Sequence, residues 1–211
     1  MDHGKIKTGM NLLAIETSVA NASLCLYANG KMCHKAAWHA ERNHDAHLFP
    51  ALQDALNTLG TEQKLDYVLI GAGPGSYGGV RVALAAGVGI ATVTNARLVA
   101  VESWAQLAGG EACVVADARR GGWTVRRPDG AIDVLSPEEL AALKAPLYSV
   151  EASGVVPAAA KEGLRPEAEG LVRTWLNMSE TERAAAASKP AEPIYVRPPH
   201  ITKATRKPWE I

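Results

Sequence analysis

Asn29-Gly30 stands between two short strand-like stretches, Ala22 to Ala28 and Lys31 to Trp38. Both residues of that pair accept positive φ, which a two-residue type I′ turn demands, so the dipeptide predicts a tight hairpin. A third run, Asn11 to Thr17 (NLLAIET), precedes it and is long enough for a buried strand. The chain therefore opens on three strands in meander order before any helical period begins. A doubly wound sheet starts with strand, helix, strand, so this order argues against that fold.

After the meander the period changes. Leu48, Leu52, Leu56 and Leu59, flanked by Phe49, recur at helical spacing over Asp45 to Leu59, and Gly60 closes the run. Pro50 falls near its start, where a missing N–H matters least. Tyr67 to Ala72 (YVLIGA) reads as a buried parallel strand. It leads through Gly73-Pro74-Gly75-Ser76-Tyr77-Gly78-Gly79 into a second helix, Val80 to about Asn95, and Arg97 to Val101 is the next strand. The order β-β-β-α-β-α-β is that of a ribonuclease-H-like half of the actin/hexokinase (ASKHA) superfamily. A second half begins with a strand at Ala112 to Ala116 and a hairpin around Pro128-Asp129-Gly130. A helix follows, opened by Ser136 and Glu139 at capping-box spacing. Glu167 to Met178 and Ser179 to Ala187 read as helices, and Pro190 to Pro199 as extended chain. The expectation is an α/β, two-lobed, actin/hexokinase-like fold with a shortened second lobe. Residues 1–9 are expected to be a disordered extension, with Met10 an alternative start. The first lobe then takes 10–106, and the smaller second lobe and tail take 107–211.

Composition narrows the function classes. Of the 211 residues, 22 are Lys or Arg and 22 are Asp or Glu, giving zero net charge, which argues against gripping nucleic acid unaided through a basic face. The first lines hold no apolar run of signal-peptide or membrane length, so a cytoplasmic chain without a membrane partner is expected. Cys25, Cys33 and Cys113 are odd in number and lack C-x-x-C spacing, which fits reduced, buried thiols.

Two sites with chemical potential stand out. The glycine loop follows a strand and opens a helix, an arrangement that aims N–H groups and the positive helix end at an anion. Glu16, Thr17 and Ser18 at the first β-turn, with Gly73, Gly75, Ser76 and Gly78, would make up a reduced phosphate site. The string also matches G-x-G-x-x-G, with Glu102 further on as a ribose ligand, but Pro74 removes an N–H and the leading meander is wrong for a dinucleotide fold. No Gly-Lys-Ser/Thr follows, so it is not a Walker loop. Equally, the glycines serve a tight turn passing close to the next helix, and the loop by itself does not decide between the two. Asp117-Ala118-Arg119 sits where a second phosphate loop belongs but lacks flanking glycines, and Asp117 reads as a cap on backbone N–H groups. Arg119-Arg120-Gly121-Gly122 offers a weak anion contact, and Gly154 is a thin candidate for an adenosine end. The second site is His44 with His47, spaced for one helix face. A third ligand and a general base are missing, so neither a metal site nor a catalytic residue is assigned.

Four segments occur together in a familiar order: Leu13 to Ser18 (LAIETS), Gly73 to Arg81 (GPGSYGGVR), Asp117-Ala118-Arg119, and Pro193 to Pro198 (PIYVRP). Together they resemble the TsaB (YeaZ-type) family, over most of Asn11 to Pro199. The pattern GPGS-aromatic-x-G-[LV]-R is the specific part. Gly78 departs from it, since the family usually has Thr there, which removes a hydroxyl and leaves the turn. The resemblance implies a non-catalytic scaffold and dimerisation subunit in bacterial synthesis of threonylcarbamoyladenosine on tRNA. Its implied partners are a metal-bearing catalytic paralogue, TsaD-like, and a TsaE-like P-loop ATPase, with tRNA met indirectly through the complex. Members have been labelled glycoprotease-like or M22-peptidase-like by analogy with the paralogue. ATP and magnesium are implied for the assembled complex and not for tight binding by this chain alone.

A partner surface is readable in the helices. Ala83, Gly87 and Ala91 recur every four residues, with Leu84 and Val88 on a neighbouring face. Each helical glycine costs about 1 kcal/mol relative to Ala, and small residues at this spacing let another helix approach closely. The first helix carries Leu48, Phe49, Leu52, Ala55, Leu56 and Leu59, more than a narrow stripe. The expected interface is Leu48, Leu52, Leu56, Ala83, Leu84, Gly87, Val88 and Ala91, and the same helices would serve a homodimer. For the basic tail from Arg197 to Lys207 a solvated segment is the default expectation, and a contact with tRNA phosphates or a partner stays open. The competing enzyme reading is a small ATP-dependent phosphotransferase using Glu16, Ser18 and Gly73–Gly79.

Overall fold

A computed structural model describes residues 9–40, 43–107, 111–150, 160–161 and 163–197. The first half runs β1 (Leu12–Glu16), β2 (Asn21–Ala28), β3 (Lys31–His39), α1 (Asp45–Leu59), β4 (Tyr67–Gly71), α2 (Tyr77–Thr94) and β5 (Arg97–Val101). Asn29 and Gly30 adopt φ of 52° and 79°, the positive pair that the hairpin requires. The strands form one sheet in the order β3-β2-β1-β4-β5. The meander is antiparallel, and β1, β4 and β5 run parallel.

The second half runs β6 (Cys113–Asp117), β7 (Trp123–Arg126), β8 (Ile132–Leu135), α3 (Pro137–Ala141), β9 (Leu147–Ser149), β10 (Ala160–Lys161), α4 (Ala168–Asn177) and α5 (Glu180–Ala187). Its sheet has the order β10-β9-β6-β7-β8, antiparallel through β6, β7 and β8 and parallel through β6, β9 and β10. Reversed, that is the topology of the first sheet: a meander on one side of the founding strand and two parallel strands on the other. Two copies of one sheet plan make the actin/hexokinase-like, two-lobed α/β fold. The second copy is reduced, with strands of two to five residues against five to nine in the first.

Side-chain alternation along β1 explains why the first sheet is buried on both faces. Leu13 and Ile15 join a core with Leu48, Leu52 and Ala55 of α1 and Ala83 and Ile90 of α2. Leu12 and Ala14 point the other way, into a core with Ala168, Leu171, Val172 and Trp175. Those four recur at i, i+3, i+4 and i+7 on α4, an amphipathic stripe that needs a sheet to cover. This corrects the expected boundary: α4 packs on β1, β2 and β4, and α5 against β5, so the last two helices of 107–211 return to the first lobe. β9 and β10 were not predicted, being too short to show a period. α2 also begins earlier than Val80, because the Ser76 hydroxyl accepts from the Gly79 N–H at 3.3 Å and caps it. Residues 1–8 of the expected 1–9 extension, Gly154, and the tail beyond Arg197 lie outside the described residues, and Gly9 is an exposed turn residue.

The expected interface is corrected as well. Ala83 is fully buried, and a Cβ on Gly87 would meet Ile70 Cγ2 at 2.7 Å and Leu98 Cδ1 at 2.8 Å. The small-residue stripe therefore admits the chain's own β4 and β5, not a foreign helix. Leu48 and Leu52 are likewise core residues. Leu56, Leu84 and Ala91 are half-buried at the edge of the same core, and Val88 faces out. A four-residue period says that something approaches the helix closely, but not what. Gly87→Leu should overpack this contact and lower unfolding free energy by about 1–3 kcal/mol. Val88→Gln on the outer face should stay within about 0.5 kcal/mol of the parent, both read from urea midpoints.

Candidate functional site

β1 ends in a carboxylate and a turn, Glu16-Thr17-Ser18, all buried. The turn packs directly on the glycine loop between β4 and α2. Thr17 Oγ1 donates to the Gly79 carbonyl at 2.7 Å, and the Ser76 N–H donates to the Ser18 carbonyl at 2.7 Å. A Cβ on Gly75 would overlap the Ser18 backbone, and one on Gly79 would overlap the Thr17 carbonyl. Only glycine permits that approach. Nothing lies within 4 Å of a Cβ on Gly78, so a side chain is admissible there, as the resemblance to Thr-bearing sequences requires. The Gly73–Pro74 peptide is cis.

Glu16 lies beneath this contact. Its Oε1 accepts the Ser18 N–H at 2.7 Å, while Oε2 and the Ser18 hydroxyl have no hydrogen-bond partner. A Cβ on Gly71 would overlap the carboxyl, so that glycine makes room for it. Burial pushes the Glu16 pKa up, and the neighbouring donor groups of Ser18, Ser103 and Thr17 pull it only part of the way back. All seven residues of the expected phosphate site, Glu16, Thr17, Ser18, Gly73, Gly75, Ser76 and Gly78, are thus brought into one loop and the turn it packs on. Four backbone donors around it point inward. The Gly73 N–H goes to Ser103 Oγ at 3.0 Å, that of Ser76 to Ser18, that of Gly79 to Ser76, and that of Ser18 to Glu16. A phosphate laid here would find those N–H groups engaged and a carboxyl group behind them.

The second loop behaves as the sequence predicts for Asp117, whose Oδ1 accepts the Arg119 N–H at 2.7 Å. The turn after it closes through Ala118 N to Gly122 O (2.9 Å) and Gly122 N to Arg119 O (3.2 Å). The segment near Tyr195 then ties both loops together. Ile194 N donates to Ala72 O at 2.8 Å, and Arg197 Nη1 donates to Arg119 O at 3.0 Å. Tyr195 stacks on Tyr77, with ring centroids 5.2 Å apart and planes at 30°. Arg81 donates to the Tyr77 hydroxyl at 2.8 Å, its guanidinium 5.0 Å from that ring's centroid. The aromatic pair was missed by sequence reasoning, since no periodicity links residues so far apart. The signal that could have found it was the presence of each tyrosine in a recognised segment.

The histidines diverge. His44 is buried just before α1, its pKa lowered by burial and then by His47, whereas His47 is exposed and stacked on Trp38. Among the described residues, no group of three or more His, Cys, Asp or Glu side chains is placed to hold a metal.

Comparison with known proteins bears on this geometry. A family model described as TsaD, tRNA N6-adenosine threonylcarbamoyltransferase, matches residues 38–137. The tRNA threonylcarbamoyladenosine biosynthesis protein TsaB of Escherichia coli (strain K12) is 30% identical over 105 residues, 48% of this chain and 44% of that protein. The protein of the same name from Buchnera aphidicola subsp. Acyrthosiphon pisum is 32% identical over 73 residues, 34% of this chain and 33% of that one. The matched stretches therefore span less than half the length of these curated relatives. Solved structures extend the likeness along the chain: YeaZ from Pseudomonas aeruginosa superposes with a TM-score of 0.65 at 27% identity, covering 88% of this chain and 99% of that one. The chain is similar to TsaB/YeaZ proteins in sequence over part of its length and in fold over most of it. A second Pseudomonas aeruginosa structure, described as similar to peptidase YEAZ, gives a TM-score of 0.65 at 26% identity over 89% of this chain and all of that one. The segments that carry the TsaB/YeaZ resemblance are the ones that converge at this site.

The buried acid gives a pH prediction. Because the folded chain holds the Glu16 proton more tightly than the unfolded chain, it contributes least stability once the unfolded state has ionised. That loss sets in above about pH 4.3 and grows until the raised folded pKa is passed. Glu16→Gln should therefore gain on the parent as pH rises from 4 to 7, measured as the difference in urea unfolding free energy, with the gap constant below pH 4.

Proposed function

We propose that the chain is a scaffold subunit in threonylcarbamoyladenosine synthesis on tRNA, pairing with a TsaD-type catalytic paralogue and supplying no catalytic group. One observation carries this reading: the outer face of α2. Arg81, Ala85, Val88, Gly89, Thr92 and Val93 are exposed there, with Val88 48% and Val93 83% accessible. Arg81 is the one charged residue in α2. The helix has a mean hydropathy of 1.3, yet only 22% of it is buried. By length and composition alone it could cross a membrane, but its inner face is built into the core of the first lobe. An apolar face of this kind on a folded lobe marks a protein partner. Phe49 on α1, 61% exposed, adds to the same character.

The names of the matched relatives, TsaB and the TsaD family model, support the choice of partner. In this reading the interface is the outer part of the expected set, Val88 with the exposed edges of Leu84, Ala91 and Leu56, joined by Val93 and Phe49. A homodimer would use the same surface when the paralogue is absent. A TsaE-type ATPase and tRNA join through the complex, in the cytoplasm. ATP and magnesium belong to that assembly, since the inward-turned donors of the glycine loop favour no tight binding by the lone chain. They weigh equally against an independent phosphotransferase.

Val88→Glu or Val93→Glu would bury an unpaired carboxylate in the complex. Either should weaken pairing with a TsaD-type subunit at least about tenfold, a difference of roughly 1.4 kcal/mol, by gel filtration and calorimetry. The urea midpoint of the isolated chain should not move. Undiminished pairing would place the interface elsewhere.

A further inference from the structure

Beside the outer face of α2, at the start of that helix, the converging segments leave an aromatic and cationic ridge. Tyr77 and Tyr195 are 50% and 48% exposed and stack on each other, in a chain whose aromatic content is only 5%. Arg81 lies against Tyr77 on one side. On the other, Arg197 follows Tyr195 by two residues and donates to the carbonyl of Arg119. Arg119 and its neighbour Arg120 are both exposed. The carboxylate beside them is Asp117, 3.4 Å from the Arg119 guanidinium, a surface pair that holds the arginine weakly. α2 itself contains no acidic residue.

We propose that this ridge binds an unpaired stretch of RNA, its bases stacking on Tyr77 and Tyr195 and its phosphates meeting Arg81, Arg119, Arg120 and Arg197. The chemistry selects the ligand. Exposed aromatic faces stack on any base that is free of its neighbours, and arginines between them track the phosphate backbone. A duplex keeps its bases stacked internally and cannot use the rings. Zero net charge excludes a long-range electrostatic grip, so the contact is local and driven by stacking. The inference rests on the tRNA-modification reading for its biological sense, but on residues that share only Arg81 with the α2 face. It makes this subunit a direct RNA contact within the complex.

The test uses the full chain with a fluorescein-labelled, unstructured 12-nucleotide RNA (a length of the order of one platform's site size) and the same RNA annealed to its complement, followed by anisotropy at low salt. Single-strand binding stronger than duplex binding is expected. The double variant Tyr77→Ala/Tyr195→Ala should lose roughly 10–100-fold in affinity while unfolding at the parental urea midpoint. Arg119→Gln/Arg120→Gln should reduce the slope of log affinity against log salt by roughly 1.4. No single-strand binding at about 100 μM chain, equal affinity for duplex, or an unchanged double variant would overturn the proposal. So would a double variant that binds RNA normally but no longer pairs with a TsaD-type subunit, since the ridge would then be a protein contact. Val88→Glu measured in parallel separates the two readings: pairing that survives it counts against the scaffold interface and leaves the RNA result standing.

Discussion

The carbonyl of Thr17 occupies the place where any side chain at position 79 would have to lie, and the Thr17 hydroxyl is bonded to the Gly79 carbonyl at 2.7 Å. That contact pins the first turn of α2 to the end of β1, and the rest of the first lobe depends on it. With its start fixed, α2 has one rotation open to it over the sheet. Gly87 then falls against Ile70 and Leu98, while Arg81, Val88 and Val93 are turned outward. The same contact seals Glu16 beneath the loop, which is why its carboxyl is both desolvated and half-satisfied.

Close backbone approach therefore joins the leucine-rich cores as a means of holding this fold together. Gly71 leaves space for a carboxyl, Gly75 and Gly79 for a turn, and Gly87 for a strand. The consequence for chemistry is direct. The loop has the sequence and position of an anion site, yet the N–H groups of Gly73, Ser76 and Gly79 are engaged by Ser103, Ser18 and Ser76. The apolar outer face of α2 and the tyrosine–arginine ridge are the surfaces that remain for other molecules.

The first lobe was legible because its signals are local. Asn29-Gly30 specifies a hairpin by its own dihedrals, and the leucine period over Asp45–Leu59 marks α1 to the residue. What sequence could not supply was the identity of the neighbour. Ala83 and Gly87 announce a close contact, and only packing shows that β4 and β5 make it. Likewise α4 declares an apolar stripe, but its return to the first sheet depends on an uncovered face set by Leu12 and Ala14. The site divides the same way. Its four segments could be recognised one by one, whereas the stacking of Tyr77 on Tyr195 exists only in three dimensions.

Hydrogen–deuterium exchange of the chain, alone and mixed with a TsaD-type subunit, tests most directly whether α2 is bound on its outside while its inside is committed to the sheet. Slowed exchange over residues 81–93 on mixing, with the second-lobe strands unchanged, is the expected result. Protection confined to the second lobe, with α2 exchanging as it does alone, would contradict it.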